Sequence, residues 1–157
     1  MKRIGMCVVL LLMIVCAGCS SFFTNLQTPQ KTLSLNESAV FSQEKTKFVA
    51  TIDSVVMNQN APHQVTVRMT VKNTGTDAFS LIGYPRLVDA AGGEYLGVNM
   101  MFGGINPGGI STKTSTIALK TDEAYSALLK GAEFRVRFQS LKPLPYEGIW
   151  AVNLTAL

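Results

Sequence analysis

The sequence predicts an all-β, antiparallel sandwich with one short crossover helix, preceded by an N-terminal export signal. Three observations carry the prediction. Apolar and polar residues alternate without a fault over residues 65–72 and again over 134–139, the period of a half-buried strand. Other short β-branched and aromatic runs are divided by clusters of Gly, Pro, Asn and Asp. Of the 157 residues, 47% are hydrophobic and only 15% charged, which excludes a disordered chain, and the length suits a single domain.

The front of the chain is a separate element. Lys2 and Arg3 precede an almost unbroken apolar stretch at 4–15, which ends in the small residues Ala17 and Gly18 before Cys19. This order is that of a secretory leader, and the stretch is shorter than the ~20 apolar residues that span a bilayer. Residues 1–18 are therefore expected to be removed. Residues 19–36, rich in Ser, Thr, Gln and Asn, read as a tether, with Phe22 and Phe23 interfacial or loosely packed. Residues 37–157 form the domain.

Within the domain, 48–52 and 55–57 read as strand, with Asp53 and Ser54 suggesting a bulge between them. In 65–72, Val65, Val67, Met69 and Val71 face one way and the polar set the other. Residues 85–89 and 94–98 flank Ala90-Ala91-Gly92-Gly93 as a hairpin. Strands are expected at 112–119, 134–139 and 148–154. Between the first two of these, Thr121 caps a short helix with Asp122 and Glu123 at its positive end, a buried stripe of Ala124, Tyr125, Leu128 and Leu129, and a stop at Lys130-Gly131. Trp150 is expected in the core.

Two sets of motifs resemble known families. Cys16-Ala17-Gly18-Cys19 resembles a bacterial lipobox, with Cys16 where Leu, Val or Ala is usual. The resemblance implies a diacylglycerol on the Cys19 thiol, cleavage before that residue and acylation of the new amine. Ser20, where an Asp would retain the protein at the inner membrane, implies an outer-membrane lipoprotein facing the periplasm. Further on, Val71-Lys72-Asn73-Thr74-Gly75, then Leu87-Val88-Asp89 with Gly93-Glu94-Tyr95, then Asn106-Pro107-Gly108-Gly109, resemble the immunoglobulin-like domains of bacterial lipoproteins of no agreed activity. That similarity covers about 47–119, more loosely to 154, and implies an immunoglobulin-like sandwich.

Cleavage rewrites the composition. Cys7 and Cys16 would leave with the leader and Cys19 would become a thioether, so no thiol remains for a disulfide, a metal or a nucleophile. Losing Lys2 and Arg3 takes the 14 basic residues to 12 against 10 acidic ones, a net of +2. The basic precursor is thus poor support for a nucleic-acid partner.

The remaining residues offer little chemistry. His63, the single imidazole, lies in a polar loop and reads as a solvated side chain, with no nucleophile elbow to serve. Asp89, Gly92 and Glu94 hint at a calcium loop but supply too few oxygens and read as a turn. No catalytic residue, metal site or cofactor is expected beyond the lipid on Cys19. Arg68, Lys72, Arg135 and Arg137 point away from the inferred core faces and would form one basic patch if their strands were neighbours. Met100, Met101 and Phe102 lie in a Gly-rich stretch, 97–109, that reads as a flexible apolar loop over the sandwich end and a contact site. The expected role is a non-enzymatic interaction or scaffold module for an envelope protein partner, held to the membrane through its lipid anchor. The alternative is a periplasmic ligand-binding module for an anionic glycan, lipid or metal.

Overall fold

The computed structural model describes residues 32–43, 45–58, 60, 62–140 and 146–154. The expectations for the leader, Cys19 and the tether as far as residue 31 lie outside them. The described strands are β1 (Ala39–Gln43), β2 (Thr46–Asn58), β3 (Gln64–Asn73), β4 (Phe79–Asp89), β5 (Glu94–Leu96), β6 (Met100–Ile105), β7 (Ile110–Ala118), β8 (Ala132–Ser140) and β9 (Tyr146–Val152), with helix α1 (Asp122–Leu129) between β7 and β8. All pair antiparallel in two sheets. Sheet 1 has the order β1-β2-β3-β7; in sheet 2, β4 pairs with β8, which pairs with β9, while β5 and β6 share the other flank of β4.

Strand alternation builds the core. Val65, Val67, Met69 and Val71 of β3 are fully buried, as are Phe134, Val136 and Phe138 of β8. Phe48, Ala50 and Ile52 of β2 join them, and the expected bulge appears as a register shift between Ile52 and Ser54. Aromatic contacts join the layers: the rings of Phe48 (sheet 1) and Phe138 (sheet 2) meet edge to face at 5.5 Å, and Phe41 stacks on Phe48 at 4.8 Å. Burying each such side chain is worth about 1.5–3 kcal/mol before entropy is counted. The result is an immunoglobulin-like β-sandwich.

The motifs behind that resemblance turn out to be fold determinants. Asn73, fully buried, donates from Nδ2 to the carbonyls of Asp77 and Ile105, both at 2.9 Å, and accepts the Gly75 N–H at 2.9 Å. Its backbone exchanges hydrogen bonds with Gly108 and Gly109. One amide therefore clasps the β3–β4 turn to the β6–β7 turn. Gly75 is obligatory there, because a Cβ would lie 2.5 Å from the Lys45 carbonyl oxygen. Asp89 plays the matching role in the β4–β5 hairpin. Its carboxylate accepts the N–H groups of Ala91 and Gly93 and the Tyr95 hydroxyl, all at 2.8 Å.

Two boundaries differ from expectation. The stretch read as a loop contains β6, in which Met100, Phe102 and Ile105 point inward and are buried. Gly103, at φ +69°, takes up a register shift against β4, and that bulge lets so glycine-rich a segment remain a strand. The domain also begins earlier than residue 37; the compact unit is Lys31–Leu157. Leu33 is buried and forms a parallel bridge with β9, donating to the Ile149 carbonyl at 2.9 Å and accepting from the Ala151 N–H at 2.8 Å. Asn36, at φ +70°, then turns the chain, and the Glu37 carbonyl receives the indole N–H of the buried Trp150 at 2.9 Å.

Candidate functional site

Alternation that fills the core on one side of each sheet sends the other set of side chains outward, so register decides what the outer faces present. On sheet 2 the rows are Leu96, Arg86, Arg135 and Ile149, then Tyr84, Arg137 and Glu147, then Met101, Ile82 and Gln139. Along the β5–β6 rim three aliphatic side chains stand exposed, Leu96 at 75% and Met101 at 65% on the strands and Val98 at 63% on the segment between them, with the exposed Tyr84 on the neighbouring β4. This rim is held firmly. The Val98 N–H donates to the Thr116 carbonyl at 3.1 Å, the Ser115 hydroxyl to the Val98 carbonyl at 2.7 Å and the Ser111 hydroxyl to the Phe102 carbonyl at 2.9 Å. The segment between β5 and β6 thereby crosses onto β7 and stitches sheet 2 to sheet 1.

Charges on this face are mostly paired. The Arg86 guanidinium contacts Glu147 at 2.6 Å and Glu94 at 3.4 Å, and Arg135 contacts Glu133 at 2.7 Å. Arg137, exposed and opposite Tyr84, makes no ion pair among the described residues. Tyrosine, methionine and an arginine with no ion pair among the described residues are the residue types enriched at protein interfaces.

The structure does not bring the four expected cations together. Arg68 and Lys72 lie on β3 in sheet 1, Arg135 and Arg137 on β8 in sheet 2, so the pairs face opposite sides of the sandwich. The strands are not neighbours because β3 is flanked by β2 and β7, and β8 by β4 and β9. Arg68 sits 3.8 Å from Asp53; Lys72 has no ionic partner among the described residues. Of Met100, Met101 and Phe102, only Met101 is exposed; the other two are core residues.

His63 also departs from expectation. Its side chain is only 13% exposed; Nε2 lies 3.2 Å from Asp122 Oδ1, and the imidazole stacks on Tyr125 with ring centroids 4.1 Å apart. The helix start supplies both partners. Thr121 caps α1 by accepting the Ala124 N–H, as expected, and Asp122 follows at the first helical position. This cluster fastens α1 to the β2–β3 turn.

Asp89, Gly92 and Glu94 form a turn and no cation cradle. Asp89 spends its oxygens on the hairpin, and its carboxyl is held below the usual aspartate range, chiefly by the Gly93 N–H and then by the Tyr95 hydroxyl. That hydroxyl is pushed up in turn by donating to the carboxylate. Among the described residues no group of three or more His, Cys, Asp and Glu side chains could hold a metal ion. A cleft of about 310 Å³ with mixed polar and apolar walls lies between Thr46, Asp77, Phe79, Ser80, Gly104 and Ser140, with Asp77 as its single ionisable group.

Fold and surface define a class, the immunoglobulin-like β-sandwich with an exposed rim. No protein-family model matches the chain, and no curated protein is similar to it. Among solved structures it is similar to MPT63, a secreted protein from Mycobacterium tuberculosis, at TM-score 0.52 and 11% identity over 80% of this chain and 100% of that one. It is also similar to part of a β-glucosidase from Paenibacillus barengoltzii, at TM-score 0.45 and 14% identity, over 68% of this chain; the match spans only 13% of that enzyme. At these identities the likeness concerns the fold alone. Among the described residues, no helix is long and apolar enough to cross a membrane.

Proposed function

We propose that this chain is an envelope lipoprotein, anchored through Cys19 at the outer membrane, whose sandwich acts as a non-enzymatic interaction module for another envelope protein. The observation that carries the module reading is the β5–β6 rim: Leu96 and Met101 stand exposed at the edge of sheet 2, with Val98 exposed on the segment between them and, on the neighbouring strands, Tyr84 and Arg137, which makes no ion pair among the described residues. Exposed apolar residues gathered in one strip, on backbone pinned by three hydrogen bonds to β7, make a rigid contact surface that costs little entropy to dock. The leader and the lipobox-like residues before Cys19 support the anchor.

A photo-crosslinking residue placed at Leu96 or Met101 in cells is expected to give one discrete adduct with an envelope protein, while the same residue at the exposed Val56 of sheet 1 gives none. Equal, diffuse adducts from all three positions would sink the module reading. Intact-mass measurement tests the anchor: the chain should carry acyl mass that a Cys19→Ser variant lacks.

A second reading, capture of an anionic ligand, is favoured by a different observation. Sheet 1 exposes Lys47, Lys72 and Arg68 against a single described acid, Asp53.

A further inference from the structure

Register places Val40, Val49, Lys72 and Ile110 in one row across the outer face of sheet 1. Val40 and Ile110 are each 63% exposed, at the two ends of that row. Lys47 lies on the same face two residues before Val49, and Lys45 stands in the adjoining β1–β2 turn; both are exposed. None of the three lysines makes an ion pair or side-chain hydrogen bond among the described residues. Arg68 continues the positive face along β3. The one acid there among the described residues, Asp53, already accepts the Thr70 hydroxyl at 2.7 Å and lies 3.8 Å from Arg68.

This corner joins unpaired ammonium groups on long stems to isolated aliphatic tips on an open sheet face. One described cleft, of about 310 Å³, opens beside this corner at Thr46, but none of the three lysines lines it and its single ionisable group is the acid Asp77, which disfavours a small anion there. No described aromatic side chain points outward from sheet 1, which removes the usual platform for stacking a sugar. An extended anionic surface with an apolar layer just beneath its charges fits both features. We infer that this corner of sheet 1 rests on an anionic lipid surface, with Lys45, Lys47 and Lys72 at the headgroup phosphates and Val40 and Ile110 entering the boundary below. Each lysine near such a surface adds a similar increment, and the attraction fades within a Debye length, about 8–10 Å. A weak contact suffices for a domain that a lipid anchor already holds at high local concentration.

The inference deepens the anionic-ligand reading of the same face, and its test omits the acyl chain, so failure of the anchor and failure of the face are separable. The chain from Ser20 onward, made without leader or lipid, keeps the whole compact unit Lys31–Leu157. It is mixed with vesicles of phosphatidylglycerol and phosphatidylethanolamine, or of phosphatidylcholine alone, and bound protein is measured by sedimentation. Binding to the anionic vesicles only is expected. Lys47→Gln with Lys72→Gln should weaken it about 30-fold, while Arg137→Glu on sheet 2 leaves it unchanged. A solvatochromic dye on Val40→Cys should shift to the blue on the vesicles, and one on Leu96→Cys should not. Equal binding to phosphatidylcholine, equal loss from the Arg137 variant, or binding to a soluble anionic polysaccharide in place of the vesicles would each overturn the inference.

Discussion

Asp89 gathers three hydrogen bonds within a single turn, and their electrostatics give the hairpin a pH signature. A carboxyl held below its unfolded range contributes stability that is fully present above that range and is lost as pH falls through the folded value. The thermal midpoint should therefore drop more steeply below about pH 4 in the native chain than in Asp89→Asn, whose neutral amide has no such linkage. Parallel curves for the two would refute the assignment. The same scale shows what a sequence conceals. Asp89 and Tyr95 are legible as neighbours in a turn, because their partners lie within six residues. Asn73 reads as one more turn residue, since its reach to the Ile105 carbonyl crosses 32 positions. His63 is legible only as a polar loop residue, because its partners, Asp122 and Tyr125, come from a helix 59 or more positions away.

Local chemistry determines an element, and where the signals agreed the elements were readable. Alternation located β3 and β8, and the bulge in β2 was foreshadowed by Asp53 and Ser54. The helix announced itself through its cap and acidic first turn. β6 was hidden because five glycines between 97 and 109 mask three core residues, Met100, Phe102 and Ile105. Those glycines are unequal. Gly103 needs its positive φ, whereas Gly104 has an ordinary φ and open space around its Cβ position. Gly103→Ala should cost about 1–2 kcal/mol in chemical denaturation, and Gly104→Ala much less. Equal losses would show that the bulge, as described, is not what the glycine serves.

At the scale of the whole molecule, sandwich class was legible and strand neighbours were not. Alternation says which side of a strand is buried but not which sheet it joins, so the four cations could be read as outward yet not assigned to opposite faces. The same gap hid Leu33, whose polar neighbours in sequence suggested a tether. Leu33→Ala removes a buried side chain that ties the incoming chain to β9, and should cost roughly 2 kcal/mol, near the low end for such truncations. It should also move Trp150 emission to the red as water reaches the indole and its bond to Glu37. Unchanged stability and emission together would mean that the domain begins only after this residue.

The crossing of residues 97–102 onto β7 gives the sandwich a spine. Along that side the two sheets are sewn together by hydrogen bonds. Along the other, where β1 and β9 do not pair, residues 33–37 make the join: Leu33 bridges β9, the Trp150 indole donates to the Glu37 carbonyl, and Phe41 of β1 stands against Phe138 of β8. The sandwich is thus bound like a book that has a clasp as well as a spine: each margin is closed by a short segment that touches both sheets.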